Sequence, residues 1–204
     1  MKLYYMPGAC SLAAHIALRE TEADFEIEKV DPATKTTESG ENFGAINFKE
    51  RVPALRLSDG TIVTEGAAVL QFIADQAPAK KLAPENGSLA RTRLQEHLNF
   101  IASELHKAFS PLFSANPPTG EAREDVERLI GQKFDIVDTI LSDGEGYLLG
   151  DTFSVADSYL FVVAGWAEPT GVGLGDRPHL RAFMDRVAAR PTVQAAMRAE
   201  GLVH

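Results

Sequence analysis

A chain of 204 residues has room for one large hydrophobic core or two small ones, and 45% hydrophobic with 24% charged residues is the balance of a soluble globular protein, with no apolar run of about 18 residues to span a bilayer. A net charge of −9 without any basic cluster excludes nucleic acid and anionic membranes as expected partners. The single cysteine rules out an internal disulfide, and with no CxxC or HExxH and five scattered histidines no metal site is expected. The opening MKLYYMPGACS lacks the apolar stretch of a signal peptide, so the expected location is cytoplasmic.

Up to residue 77 strand and helix patterns alternate. Lys2–Met6 is a β-rich run that ends in a Pro7-Gly8 turn. From Ser11, residues Leu12, Ile16 and Ala17 fall at helical spacing. Phe25–Val30 alternates apolar and charged residues, as a half-buried strand does, and Asp31–Phe48 is polar and irregular, with at most a short helix. Ala54–Leu57 and Thr61–Val63 flank Ser58-Asp59-Gly60, a hairpin signal. Glu65–Gln76 returns to helical spacing through Val69, Phe72, Ile73 and Gln76. This order predicts an α/β unit, a small mixed sheet with helices on its faces. Residues 78–86, with two prolines and two lysines, read as a linker. Beyond it the spacing predicts helices over Ser88–Phe113, Glu121–Leu141, Ser154–Ala167 and Leu180–Ala189, a short last helix after Pro191, and no strand. The expected domains are 1–77 and an all-α bundle over 87–204.

Cys10 follows a strand and a turn and directly precedes a helix start. A free cysteine is commonly a packed core residue. At a helix N-terminus, however, a thiol pKa is expected to fall below its usual value of about 8.5. Val52-Pro53 reads as a proline opening a strand. Glu65-Gly66 opens a helix, where a carboxylate suits the dipole. On the helix around residue 100, Leu94, Leu98, Ile101, Leu105 and Leu112 form an apolar stripe, and Asn99, Ser103, His106 and Ser110 a polar one. Ser154-Val-Ala-Asp157 reads as a capping box, with Phe153 placed to staple onto Tyr159 or a neighbour, and therefore as structural.

KLYYMPGACSLAAHIALRE at the start, RVPAL at 51–55, TEGAAVLQFIAD at 64–75, ELHKAF at 104–109 and LLGDTFSVADSYLF at 148–161, in that order and at these spacings, resemble the bacterial, cysteine-bearing beta class of glutathione transferases. The resemblance covers essentially the whole chain. It implies a thioredoxin-like mixed-sheet N-terminal domain, a helical-bundle C-terminal domain and a homodimer, with glutathione as co-substrate in a cleft between the domains. The implied catalytic residues are Cys10, Ser11 and His106. The implied glutathione ligands are Cys10, Lys35, Val52, Pro53, Glu65, Gly66, Asn99, Ser103, Glu104 and His106. Pro53 is expected to be cis, with the Val52 N–H and C=O free to pair with glutathione as with one more strand. Glu65 takes the γ-glutamyl ammonium and the helix start takes its carboxylate. Lys35 takes the glycyl carboxylate, and Asn99 and Ser103 reach glutathione across the dimer interface. A small hydrophobic electrophile is expected near Phe109, Phe113 and Trp166. Two departures stand out: Gly66 where serine is usual, and Asn47-Phe48 where Asn-Pro is frequent. Conjugation of glutathione is the implied reaction, with thiol–disulfide exchange at Cys10 beside it. The alternative is a non-catalytic ligand carrier or regulatory protein on the same fold.

Overall fold

Alternation along the first strand decides how the N-terminal unit is layered. β1 (Lys2–Tyr5) sends Leu3 and Tyr5 to one face and Tyr4 to the other, and all three are buried. The computed structural model describes residues 1–203. In it β1 pairs in parallel with β2 (Glu26–Lys29) and antiparallel with β3 (Ala54–Arg56), which pairs antiparallel with β4 (Ile62–Thr64). The sheet order is β2-β1-β3-β4. Parallel neighbours need a crossover, and α1 (Ser11–Thr21) supplies it.

α1 packs on α3 (Gly66–Gln76), which follows the hairpin. On the other face of the sheet, Tyr4, Val30, Ala54 and Phe43 of α2 (Phe43–Ile46) form one cluster. Met6, Ile46, Val52 and Ile62 close round it. Val52 is thus seated by its side chain in this cluster, which fixes the backbone just ahead of β3.

The second unit, Pro84–Ala188, is helical. α4 (Leu89–Phe100) runs into a π-helical segment, Ile101–Leu105, then α5 (His106–Phe109) and a 3-10 turn, Ser110–Phe113. α6 (Gly120–Ile140), α7 (Val155–Gly165) and α8 (Pro178–Ala188) follow. Every residue of α7 from Val155 to Ala164 is buried, which makes it the central helix of this unit. Among the described residues no helix is long and apolar enough to cross a membrane.

The start of α7 is built round one carboxylate. Asp157, fully buried, accepts from the Ser154 N–H at 2.8 Å, the Ser154 hydroxyl at 2.7 Å and the Leu148 N–H at 2.8 Å. It closes the capping box and also ties down the loop that enters the helix. Burial raises its carboxyl to about 6, against the pull of these donors. Phe153, expected to staple onto Tyr159 or a neighbour, packs edge-on against Tyr147, which precedes the helix, with ring centroids 5.7 Å apart.

The sequence-based boundary needs correction at the C-terminus. α9 (Pro191–Ala199), expected within the helical domain 87–204, packs on α1, and the chain from Ala189 belongs with Met1–Ala83. Polar contacts explain why. Arg190 pairs with Glu20 at 2.8 Å. Beyond α9, Glu200 sits 2.9 Å from His15 Nδ1, both side chains wholly buried, and accepts the Gly8 N–H at 3.0 Å. Because His15 Nε2 accepts from Arg19 Nε at 3.0 Å, Nδ1 carries the proton that His15 donates to Glu200.

Removing either buried carboxylate strands backbone donors at about 1–3 kcal/mol each. Asp157→Ala and Glu200→Ala are each expected to lower unfolding stability by about 2–4 kcal/mol, read as an earlier urea midpoint at unchanged slope. Glu200→Gln, which keeps one acceptor, should recover part of the loss. A midpoint unchanged in either alanine variant would show that these carboxylates do not hold their loops.

Candidate functional site

The turn between β1 and α1 carries the lone thiol, and three contacts shape it. Ser11 lies at the first turn of α1, fully buried, and its hydroxyl accepts from the Met6 N–H at 3.2 Å and lies 3.3 Å from the Met6 carbonyl. Gly8 adopts φ +69°, so a side chain there is strained, while Leu202, 3.4 Å from where a Cβ would stand, would make only an ordinary contact. Cys10 occupies the N-cap position of α1, and its Sγ–H donates to the Val52 carbonyl at 3.2 Å.

Two expectations fail here. The Ser11 hydroxyl is consumed by the turn and buried, so it is a structural group and not a candidate to hold a substrate sulfur. The Cys10 thiol is not acidified. Burial pushes it up to about 11; the N–H groups of Cys10 and Ser11 pull it down by less, and the Glu65 charge adds to the rise. A helix start lowers a thiol pKa only where the thiolate keeps enough solvation.

Opposite the thiol, the Val52–Pro53 bond is cis. The Val52 carbonyl, expected to be free, accepts from Cys10, whereas the Val52 N–H makes no hydrogen bond among the described residues. In the loop leading there, where Phe48 stands in place of the expected proline, the Asn47 side chain supplies a brace. Asn47, buried, donates through Nδ2 to the Arg51 carbonyl at 2.8 Å and accepts the Lys49 N–H at 3.2 Å. Phe48 is left 85% exposed.

Glu65 caps α3 with φ 71° and ψ 117°, a conformation that costs a non-glycine residue about 1–3 kcal/mol. Its side chain does not cap the helix. It reaches out instead and pairs with Lys49 Nζ at 2.6 Å, which also bonds Thr64 Oγ1 at 3.1 Å. The N–H groups of Gly66 and Ala67 at the helix start carry no hydrogen bond among the described residues. An exposed carboxylate beside open helix N–H groups can receive an ammonium and a carboxylate from one ligand. Lys35, at φ 55°, holds its loop through backbone bonds to Asp31 and Phe43 and is partly exposed. No sequence signal marks Lys49: a lysine in a polar loop has no pattern to betray a partner sixteen positions on.

In the helical unit the polar stripe is interrupted. The His106 N–H bonds to the Ile101 carbonyl, five residues back. A π-turn holds one extra residue and shifts the phase of the residues after it by roughly 100°. Asn99, Ser103 and Glu104 remain exposed, with Ser103 Oγ donating to the Asn99 carbonyl at 2.9 Å and Glu104 paired with Lys133 at 2.6 Å. His106 turns inward instead. Its Nδ1 lies 2.8 Å from the Tyr159 hydroxyl, and its ring stands edge-on to Trp166 with centroids 4.8 Å apart. Burial, with a smaller push from Lys107, lowers its imidazole to about 4, so it is neutral at pH 7.

Phe109, expected to meet the electrophile, is fully buried behind Phe113, Phe134 and Trp166. Phe113, 56% exposed and 5.2 Å from Trp166, presents the accessible aromatic surface of this group. Tyr159 is visible in the sequence only as a staple candidate. Its bond to His106 depends on the π-turn, which 3.6-residue spacing does not foresee.

Residues 8–76 match the family profile of the glutathione S-transferase N-terminal domain, and residues 100–191 that of the C-terminal domain. A glutathione S-transferase, GstA, of Escherichia coli O157:H7 is 46% identical over 202 residues, covering 99% of this chain and all of the relative. Among solved structures, a sphingomonad glutathione S-transferase complexed with glutathione superposes with a TM-score of 0.94 at 48% identity, over 100% of both chains. A bacterial beta-class glutathione S-transferase of Sphingomonas chungbukensis does so with the same TM-score, identity and coverage. By these matches over its length, the chain belongs to the glutathione S-transferase family.

Proposed function

We propose that the protein conjugates glutathione to small hydrophobic electrophiles, as a cytoplasmic homodimer of the beta class. The observation that carries this reading is the open Val52 N–H next to the Cys10 thiol. A backbone edge with an unused donor suits the cysteinyl segment of glutathione, which pairs with it as an added strand and brings its sulfur to Cys10. Pro53, buried behind that edge, keeps it in place. The γ-glutamyl end goes to Glu65 and to the N–H groups at the start of α3, where Gly66 lacks a hydroxyl but keeps its backbone donor. Lys35 takes the glycyl carboxylate. Asn99, Ser103, Glu104 and His106 complete the ligand set, with Asn99 and Ser103 serving across the dimer interface. The electrophile rests on Phe113 and the edge of Trp166.

In this reaction the glutathione thiolate forms the new carbon–sulfur bond, and the electrophile loses a leaving group or takes a proton. Cys10 is not the nucleophile. A neutral thiol that donates to a carbonyl in the free protein can swing its proton toward an arriving thiolate, which hydrogen bonding stabilises. Disulfide exchange through Cys10 first requires losing that proton, which burial opposes. Conjugation therefore comes first and exchange second.

Two measurements test this. Alkylation of the lone thiol should keep accelerating above about pH 9 in the free protein, and Cys10→Ala should leave glutathione binding nearly intact with conjugation still measurable. An alkylation inflection near neutrality would restore the thiolate and with it the exchange route. For the γ-glutamyl subsite, Glu65→Gln should weaken glutathione by about 1.5–3 kcal/mol in calorimetry, the range for charged hydrogen bonds. Lys49→Met, which removes the internal competitor for that carboxylate, should tighten it. Equal affinity in wild type and Glu65→Gln would take Glu65 out of the site.

A further inference from the structure

The His106–Tyr159 contact carries an inference that rests on the transferase reading and goes beyond it. His106 enters its position through a backbone irregularity. The N–H bond to Ile101 closes a π-turn, and such turns hold one residue more than the α-helix allows. The ring it delivers is fixed on two sides, by Trp166 edge-on at 4.8 Å and by the Tyr159 hydroxyl 2.8 Å from Nδ1. Tyr159 lies on α7, the buried helix whose start is locked by Asp157. It is 4% exposed. With Nδ1 engaged, Nε2 is the nitrogen left for a ligand; it makes no hydrogen bond among the described residues.

The imidazole is neutral over the physiological range because burial depresses its pKa. A neutral imidazole has one N–H and one bare nitrogen. Its bare nitrogen is a far stronger base than a phenol oxygen, so an O–H to N bond is favoured over N–H to O. We propose that Tyr159 is a positioning residue: its hydroxyl donates to His106 Nδ1 and holds the imidazole in the Nε2–H tautomer, which makes the imidazole a neutral donor for a thiolate. In that form His106 cannot remove the thiol proton. It stabilises the thiolate once formed, and the proton goes to water.

The test reads the nitrogen that bears the proton. Two-bond hydrogen–nitrogen correlation spectra of nitrogen-15-labelled protein, free of glutathione, distinguish the two tautomers, and the His106 signals are assigned by their loss in His106→Asn. The expected result is a single Nε2–H tautomer in wild type and a mixture of both in Tyr159→Phe, which keeps the ring packing. With glutathione and a model electrophile, Tyr159→Phe should lower kcat by roughly 2- to 10-fold, the reach of one neutral hydrogen bond, with KM for glutathione unchanged. An Nδ1–H tautomer in wild type, or the same tautomer in both proteins, overturns the proposal. So does a Tyr159→Phe variant whose loss lies in KM alone. Because the tautomer is read without ligand, a protein that binds no glutathione would overturn the transferase reading while the spectra still decide the role of Tyr159.

Discussion

The turn from β1 into α1 is where the first unit is most tightly determined. Its residues are held by groups that come from far along the chain: Gly8 by Glu200, and Cys10 by the carbonyl of Val52. Locally, Ser11 bonds back to Met6. Each contact removes a freedom the turn would otherwise have. Val52 is itself seated in the cluster of Tyr4, Val30, Phe43 and Ala54, so the core under the sheet sets where the thiol points. The C-terminal segment is part of the same device. A chain that ended before α9 would leave the Gly8 N–H and the buried His15 without the carboxylate they share.

This tight turn has a chemical consequence. A helix start favours a thiolate, and so do the two backbone N–H groups at Cys10 and Ser11, but enclosure disfavours the charged form more strongly. Packing and acidity are therefore in conflict at this position, and packing prevails in the free protein. A neutral thiol is a hydrogen-bond donor. It suits a role in which the sulfur that reacts belongs to the substrate, and it protects a lone cysteine from adventitious oxidation, which proceeds through the thiolate.

Much of this is legible in the sequence. The alternation of Phe25–Val30, the helical spacing of Val69, Ile73 and Gln76, and the Ser58-Asp59-Gly60 turn each foretell their element, because one period separates strand from helix. The pairing of Ser154 with Asp157 is likewise readable, since a capping box is local. Most of the failures are non-local. The apolar residues of α9, Val193 and Ala196, show that the helix buries a face but not against which partner. Ser11 misleads because a hydroxyl beside a reactive thiol looks catalytic until its bond to Met6 is seen. The thiol pKa misleads because position on a helix is readable in one dimension and desolvation is not.

The helix of His106 shows the same limit most clearly. Periodicity groups Asn99, Ser103 and His106 on one face, and at 3.6 residues per turn they would share it. The π-turn divides them, leaving Asn99 and Ser103 to solvent and giving His106 to α7. A strict α-helix would keep the stripe intact and lose the contact with Tyr159. The irregularity thus lets one helix serve two purposes: an exposed polar face at Asn99 and Ser103, and an oriented, neutral imidazole one turn later. A π-turn sacrifices ideal backbone geometry, and here it is stabilised on its apolar side by Ile101 and Leu105, both buried. The sequence supplies those two anchors at a spacing compatible with either helix type. Only packing against α7, through Tyr159 and Trp166, selects the one that turns His106 inward.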